Sequence, residues 1–383
     1  MELRIPECLP EDSWFRRWME IWPTSESPKS FLLFSAMTML GACIGRRVWM
    51  DQDIHQVRPM LNLLLIGPSG IGKSSAVKVG KRLLPYVPEM NRPQFIEGGS
   101  TKEKLHEDLV AQPKAILFAS ELAAFFSKEK YKESLIPYVT ELLDYNDVIQ
   151  IRTRKDGILD VLYPSVSILG ASTLEWLQDQ LPDSAVTGGF LARFLILNED
   201  AKGQRIANPQ RLLSTRQKIK LEKKRDEVYQ EFSKLFLCHE GNMEYEDYEA
   251  AETYSRWYNS YQPATGYLSP FAARAGEFIL RLSILCAISS QRASISKADV
   301  EAGIELYTHV ASKLGRIVVP TNAQGKLSEL IRGSVTEEGL SPGAIVNLLR
   351  AQAPYADIER HIEGLLYSGV LKSEDGRIKP IEI

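Results

Sequence analysis

The stretch LNLLLIGPSGIGKSS, residues 61 to 75, constrains this chain more than any other part of it. Leu61 to Ile66 is an apolar run broken only by Asn62, and it gives way to a glycine-rich turn ending in Lys73, Ser74 and Ser75. The run reads as a buried strand, and Lys73 to Leu84 as the helix after the turn. Gly67-Pro68-Ser69-Gly70-Ile71-Gly72-Lys73-Ser74 matches G-x-x-x-x-G-K-S/T in the strand–turn–helix setting that this pattern requires. Glycines let main-chain amides curl round an anion where a β-carbon would intrude. The following helix turns its free amides and the positive end of its dipole on the same point. In that frame Lys73 brings a point charge to the β- and γ-phosphates of ATP, and Ser74 offers its hydroxyl to Mg2+. Gly67 through Ser75 is then the nucleotide-binding segment.

Composition narrows the classes of partner. The 383 residues suggest two or three domains. A net charge of -3 excludes a globally basic nucleic-acid binder, so any contact with DNA or RNA must come from local basic patches. Cys8, Cys43, Cys238 and Cys286 are far apart and form no C-x-x-C pair, which argues against a zinc site and a disulfide framework. Free thiols in apolar surroundings fit a reducing cytoplasm, the localisation expected. The first residues lack a signal-peptide pattern. Phe31 to Ile44, at 14 residues, falls short of the ~20 a membrane span needs, so it reads as a buried helix and no membrane partner is expected.

Along the chain, residues 1–50 read as an N-terminal helical segment, with helices over 12–24 and 28–44 and a short strand over 46–53. Residues 51–205 alternate strands and helices, which predicts a mainly parallel α/β sheet. Its core strands are Leu61 to Ile66, Ala115 to Ala119, Ser165 to Gly170 and Phe194 to Leu197. Val148 to Leu162 reads as a hairpin turning at Lys155-Asp156-Gly157. Residues 206–320 are helical, a lid over the core, and Pro320 to Gly325 reads as a linker. Residues 325–383 show helix–helix–helix–hairpin, a winged-helix-like pattern.

Hydrolysis needs more than a phosphate cradle. Ala115 to Glu121 is an apolar strand ending in an acidic residue, and Glu121 is the candidate base that orients water. The usual Asp before it is Ser120 here, which weakens the metal-binding part of the motif. Ser172 and Thr173 follow the third strand, where a polar side chain can sense the γ-phosphate. Capping of the helix Leu174 to Gln180 by Ser172 or Thr173 is the alternative reading, and the two can hold together. Arg193 stands just before the last core strand, after a glycine-rich loop. In a ring of identical subunits it would act in the neighbour's site, stabilising charge on the transferring phosphoryl group. The other reading is a surface arginine at a strand start.

With these parts in this order the chain resembles the AAA+ superfamily of P-loop ATPases. Phe190 to Phe194 is similar to the arginine-finger region of the minichromosome-maintenance helicases. Arg274-Ala-Gly-Glu277-Phe-Ile-Leu-Arg281-Leu is similar to their lid helix, which makes Arg274 a second sensing arginine. More closely, residues 20–320 resemble the ATPases of phages, prophages and plasmids that are fused to, or encoded beside, a primase. FLLFSAMTMLGACIGRRV, SELAAFF and GGFLARFLIL carry that likeness. The resemblance implies an AAA+-like P-loop NTPase core, with a RecA-like core as the alternative, and a homo-oligomer, a hexameric ring. It further implies ATP and Mg2+ as cofactors, and a primase or another replication protein as partner.

In ring helicases of the resembled type a hairpin at 148–162 projects into the central pore. Arg152, Arg154 and Lys155 would there contact the phosphates of single-stranded DNA, and several copies multiply a modest charge into a strong field. The basic run 216–225 reads as a solvated helix face. The last unit has more acidic than basic residues, which suits a protein–protein module better than a phosphate binder. The function expected is a replicative DNA helicase of a phage or mobile element. The alternatives are a loader or remodelling ATPase switch acting on a protein partner, or a defence-system ATPase.

Overall fold

The structure, a computed structural model, describes residues 5, 7–119, 121–122, 125–126, 134–153, 157–180, 185, 189–237, 239–264, 268–315, 323–336, 338–367 and 370–380, with the backbone alone at 152–153, 178–180, 323–326 and 329. Ser13 caps α1 (Trp14–Glu20), its hydroxyl accepting from the Phe15 amide. In α2 (Lys29–Ile44) every residue after Lys29 is buried, as a helix apolar on all sides must be. Two short strands follow, β1 (Val48–Gln52) and β2 (His55–Val57), paired antiparallel.

The central unit then runs β3 (Leu63–Ile66), α3 (Lys73–Lys81), β4 (Gln94–Glu97), α4 (Lys102–Ala111), β5 (Lys114–Ala119), α5 (Leu135–Leu142), β6 (Val148–Thr153), β7 (Gly157–Leu162), β8 (Ser165–Ser172), α6 (Leu174–Gln180) and β9 (Leu195–Asn198). β6 and β7 pair antiparallel as the hairpin the sequence predicts. The remaining strands form a parallel sheet in the order β4-β5-β8-β3-β9. The mixed α/β class is therefore present, with one strand, β4, that periodicity does not reveal. β4 is four residues long, lies at the sheet edge and is only half buried, so it lacks the apolar signal of its neighbours.

Both sheet faces are covered, as parallel strands require. Leu63, Leu65, Ile116, Phe118, Leu169, Ala171, Leu195 and Leu197 share a core with α1 and α2. The alternate residues, among them Leu64, Ile66, Leu117, Ile168 and Ile196, pack with α4, α5 and the hairpin. This is the period-two division of a strand between two layers.

Beyond the sheet come α7 (Thr215–Lys234), β10 (Gly241–Asn242), α8 (Tyr248–Ser260), α9 (Ala275–Ser289) and α10 (Lys297–Leu314). Ser214 opens α7 and Ser296 opens α10, each with a reciprocal capping box. Val228, Phe232, Leu282 and Leu306 lie in the same apolar cluster as Trp14, Phe31 and one sheet face, so these helices close directly over α1 and α2. Trp14 Nε1 donates to Val228 O at 2.8 Å across that contact.

The last elements are α11 (Ala323–Ser334), α12 (Pro342–Leu349), α13 (Tyr355–Tyr367) and the hairpin β11 (Leu371–Glu374) and β12 (Arg377–Pro380). They have a core of their own around Ile331, Ile345, Ile358, Ile362 and Ile378. Asp375 and Gly376 both carry positive φ in the two-residue turn. Of the linker expected at 320–325, Ala323, Gln324 and Gly325 belong instead to the first turn of α11, and 320–322 lie outside the described residues. A single glycine after alanine and glutamine does not outweigh the propensity of the helix that follows.

Candidate functional site

The carboxyl ends of β3, β5 and β8 meet at one edge of the sheet. Ile66 is in register with Ser172, and Ala119 with Gly170. Because β8 lies between β3 and β5, its last residue stands between the glycine-rich loop and Glu121. A cleft of about 450 Å³ opens there, lined by Ser69, Gly70, Gly72 to Ser75, Glu121, Leu122, Ser172, Thr173 and Trp176.

The loop enters α3 through Gly72, whose φ of +102° is a left-handed conformation disfavoured for any residue with a β-carbon. A β-carbon at Gly72 would also run into the Ser27 hydroxyl. Ser27 in turn donates to Gly72 O at 3.0 Å. Among the described residues no side chain caps α3. The Ala76 amide makes the first bond of its ladder, to Gly72 O, so among the described residues the amides of Lys73, Ser74 and Ser75 are left open to a ligand. Lys73 Nζ donates to Gly67 O and, at 2.9 Å, to Pro68 O, folding over the loop. Burial lowers the pKa of Lys73, and the Glu175 carboxylate works against that shift.

Glu121 is exposed in the cleft. Ser172 is buried at its floor, and Thr173 Oγ1 accepts from the Trp176 amide at 3.3 Å, which makes Thr173 the cap of α6. Thr173 therefore does the capping while still lining the cleft. A second cavity of about 610 Å³ adjoins the loop, lined by Pro68, Ser69, Ile71, Glu26, residues 200–202 and residues 205–207. Glu26 is held in this lining, accepting from Lys202 Nζ at 2.6 Å and the Ile206 amide at 2.9 Å.

Arg193 and Arg274 are not in the cleft. Arg193 ends a short 3-10 turn at the amino end of β9, and Leu195 is in register with Leu63, the first residue of β3. The four residues of a strand, about 13 Å at ~3.3 Å each, separate that end from the loop. There Arg193 donates Nε and Nη2 to the two oxygens of Asp144, and Nη1 to Gly189 O at 2.7 Å. Arg274 Nη2 lies 3.9 Å from the same Asp144. Burial lowers the pKa of Arg274, and the Arg193 charge adds to the effect. Arg281 is buried beside them, paired with Glu277 and donating to Met60 O at 2.7 Å.

Of the other expected residues, Ser120, Arg154 and Lys155 lie outside the described residues. Arg152 is in register with Ile158 in the hairpin. Sequence reasoning missed Asn62, Asp144 and Glu199. Asn62 is buried, and its side chain accepts from the Ile168 amide at 3.1 Å and donates to Arg193 O at 3.1 Å. It thereby ties β8 to the turn before β9. Its one sequence signal is a polar residue inside the apolar run.

Comparison with protein-family models and with curated proteins gives no match to either. Among the described residues no helix is long and apolar enough to cross a membrane.

Proposed function

We propose that the protein is an ATPase of AAA+-like architecture that assembles into a ring and couples ATP hydrolysis to movement on single-stranded DNA, as a replicative helicase of a phage or mobile element. One observation carries the nucleotide reading: Lys73, Ser74, Glu121 and Ser172, drawn from three strand ends, line a single cleft. The open amides at the start of α3 suit a β-phosphate. Lys73, now on the carbonyls of Gly67 and Pro68, would exchange them for the β- and γ-phosphate oxygens. Glu121 would align water for attack on the γ-phosphorus and take its proton, while the bond to the β–γ bridging oxygen breaks to give ADP and phosphate. Ser172, between loop and base, would hold a γ-phosphate oxygen. The exposed Ser74 hydroxyl in the same cleft fits a Mg2+ ligand, and the ion would neutralise charge on the phosphates. The second cavity, contiguous with the loop, has room for the nucleoside.

The ring is supported by Arg193. It is too far from its own cleft to touch a γ-phosphate there, so a catalytic role requires an adjoining protomer. Arg274, close to the same Asp144, would act at that interface as well. The hairpin β6–β7 lies between β5 and β8 in the chain, the place that suits a DNA contact through Arg152, Arg154 and Lys155. The three helices and hairpin at the end of the chain suit a winged-helix module, to which a primase or another replication protein would bind.

The test is steady-state ATP turnover with and without single-stranded DNA. Stimulation of several-fold is expected, and it should vanish in Arg152→Ala/Lys155→Ala with basal turnover intact. Turnover indifferent to DNA but raised by a protein partner would replace the motor with a loader or remodelling switch.

A further inference from the structure

Glu199, the residue after β9, touches the glycine-rich loop from behind. Its amide donates to Ile66 O at 3.1 Å, extending the sheet ladder to the threshold of the loop. A β-carbon on Gly67 would lie 2.5 Å from Glu199 O, so the two main chains are in close contact. The Glu199 side chain is only 18% exposed and is held from two distant parts of the chain. Ser30 Oγ, at the start of α2, donates to Oε1 at 2.7 Å. Near the end of α10, Lys313 Nζ donates to Oε2 at 2.7 Å, and His309 Nε2 lies 3.3 Å from Oε1. His309 Nδ1 is buried with no hydrogen-bond partner among the described residues, which leaves Glu199 as the polar anchor of the ring. The same lead-in to α2 holds the far end of the loop, through Ser27 and Gly72 O.

We infer that Glu199 is a positioning residue for nucleotide binding: it fixes the first glycine of the loop against α2, and Lys313 of α10 neutralises its carboxylate so that it does not repel the phosphates, while His309 holds it by a hydrogen bond. This inference rests on the nucleotide reading of the cleft. It makes α10 part of the binding apparatus, although α10 contributes nothing to the cleft lining. Loop geometry of this kind is shared by ground and transition states, so its loss weakens binding and appears in KM rather than kcat.

The experiment is ATP turnover by the full chain as wild type, Glu199→Ala, Glu199→Gln, Lys313→Met and the Glu199→Gln/Lys313→Met double variant, with Lys73→Ala as reference. A KM raised about tenfold is expected for Glu199→Ala, with kcat within threefold. Glu199→Gln still accepts from Ser30 but turns an amide NH2 on Lys313 Nζ, so its KM should rise by less than that of Glu199→Ala. Lys313→Met leaves the carboxylate uncompensated and should raise KM several-fold, and the double variant should reverse that rise. A merely structural defect reduces the active fraction, hence kcat, and predicts no reversal. Should Glu199→Ala not fold, the Lys313→Met pair decides. Unchanged KM in the folded variants, beside a wild type whose turnover Lys73→Ala abolishes, overturns this inference alone. Turnover that survives Lys73→Ala, or none in the wild type, overturns the nucleotide reading with it.

Discussion

Arg193 grips Asp144 with two parallel hydrogen bonds, Nε to Oδ1 at 2.8 Å and Nη2 to Oδ2 at 2.7 Å. With Nη1 on Gly189 O, three of the five guanidinium N–H groups are used by the described residues of the protomer. The two left over, on a head fixed by Asp144, are what a neighbour's phosphate could take. Arg193→Ala should therefore bind ATP normally and lose turnover by about 10³-fold. Mixing it with Lys73→Ala should restore a fraction of the rate, because the two defects then fall at different interfaces. Absence of restoration at every mixing ratio speaks against a role in trans.

Glu121→Gln should leave ATP binding intact while hydrolysis stops, since the amide keeps the size of the side chain and removes the base. Filter binding of labelled ATP together with phosphate release checks both halves. Unchanged phosphate release would take the base assignment away from Glu121.

Gly72→Ala combines a left-handed φ with a collision against the Ser27 hydroxyl. The expected loss of stability is about 2 kcal/mol or more, read from denaturant unfolding. Ser27→Gly in the same background should recover only part of the collision, since the Ser27 Cα stays 3.0 Å from the added carbon and the bond from Ser27 Oγ to Gly72 O is lost. A Gly72→Ala protein as stable as wild type would contradict this account of the loop.

How much of this was legible in the chain depends on the range of the interactions. The loop, its strand and α3 are encoded within 20 residues, by an apolar run, glycines and a helix start, and the hairpin by alternating residues about a glycine turn. Glu199 and Asp144 gain their meaning from partners far away in sequence: Ser30 for Glu199, Arg193 for Asp144. No local pattern marks them. β4 escaped because an edge strand need not be apolar on both faces. Thr173 illustrates a further limit, since capping and lining the cleft draw on the same residue type at the same position.

The acid limb of stability should carry the signature of Glu199. Burial opposes its charge, but hydrogen bonds from His309, Lys313 and Ser30 outweigh it and hold the carboxyl down from 4.5 to about 2. A carboxyl depressed on folding adds stability above the unfolded value and loses it as pH falls through the folded one. The shift corresponds to about 3 kcal/mol, present above pH ~4.5 and gone near pH 2. Unfolding of wild type and Glu199→Gln, compared between pH 6 and pH 2.5, should converge as the pH drops. Parallel curves over that range would contradict the paired carboxylate.

The central claim is that the loop at 67–75 cradles a triphosphate, and calorimetric titration with a nonhydrolysable ATP analogue and Mg2+ tests it most directly. Saturable binding at one site per chain is expected in the wild type, with a loss of at least ~tenfold in affinity for Lys73→Ala. Equal affinity in the two proteins, or no binding by a folded wild type, would contradict it.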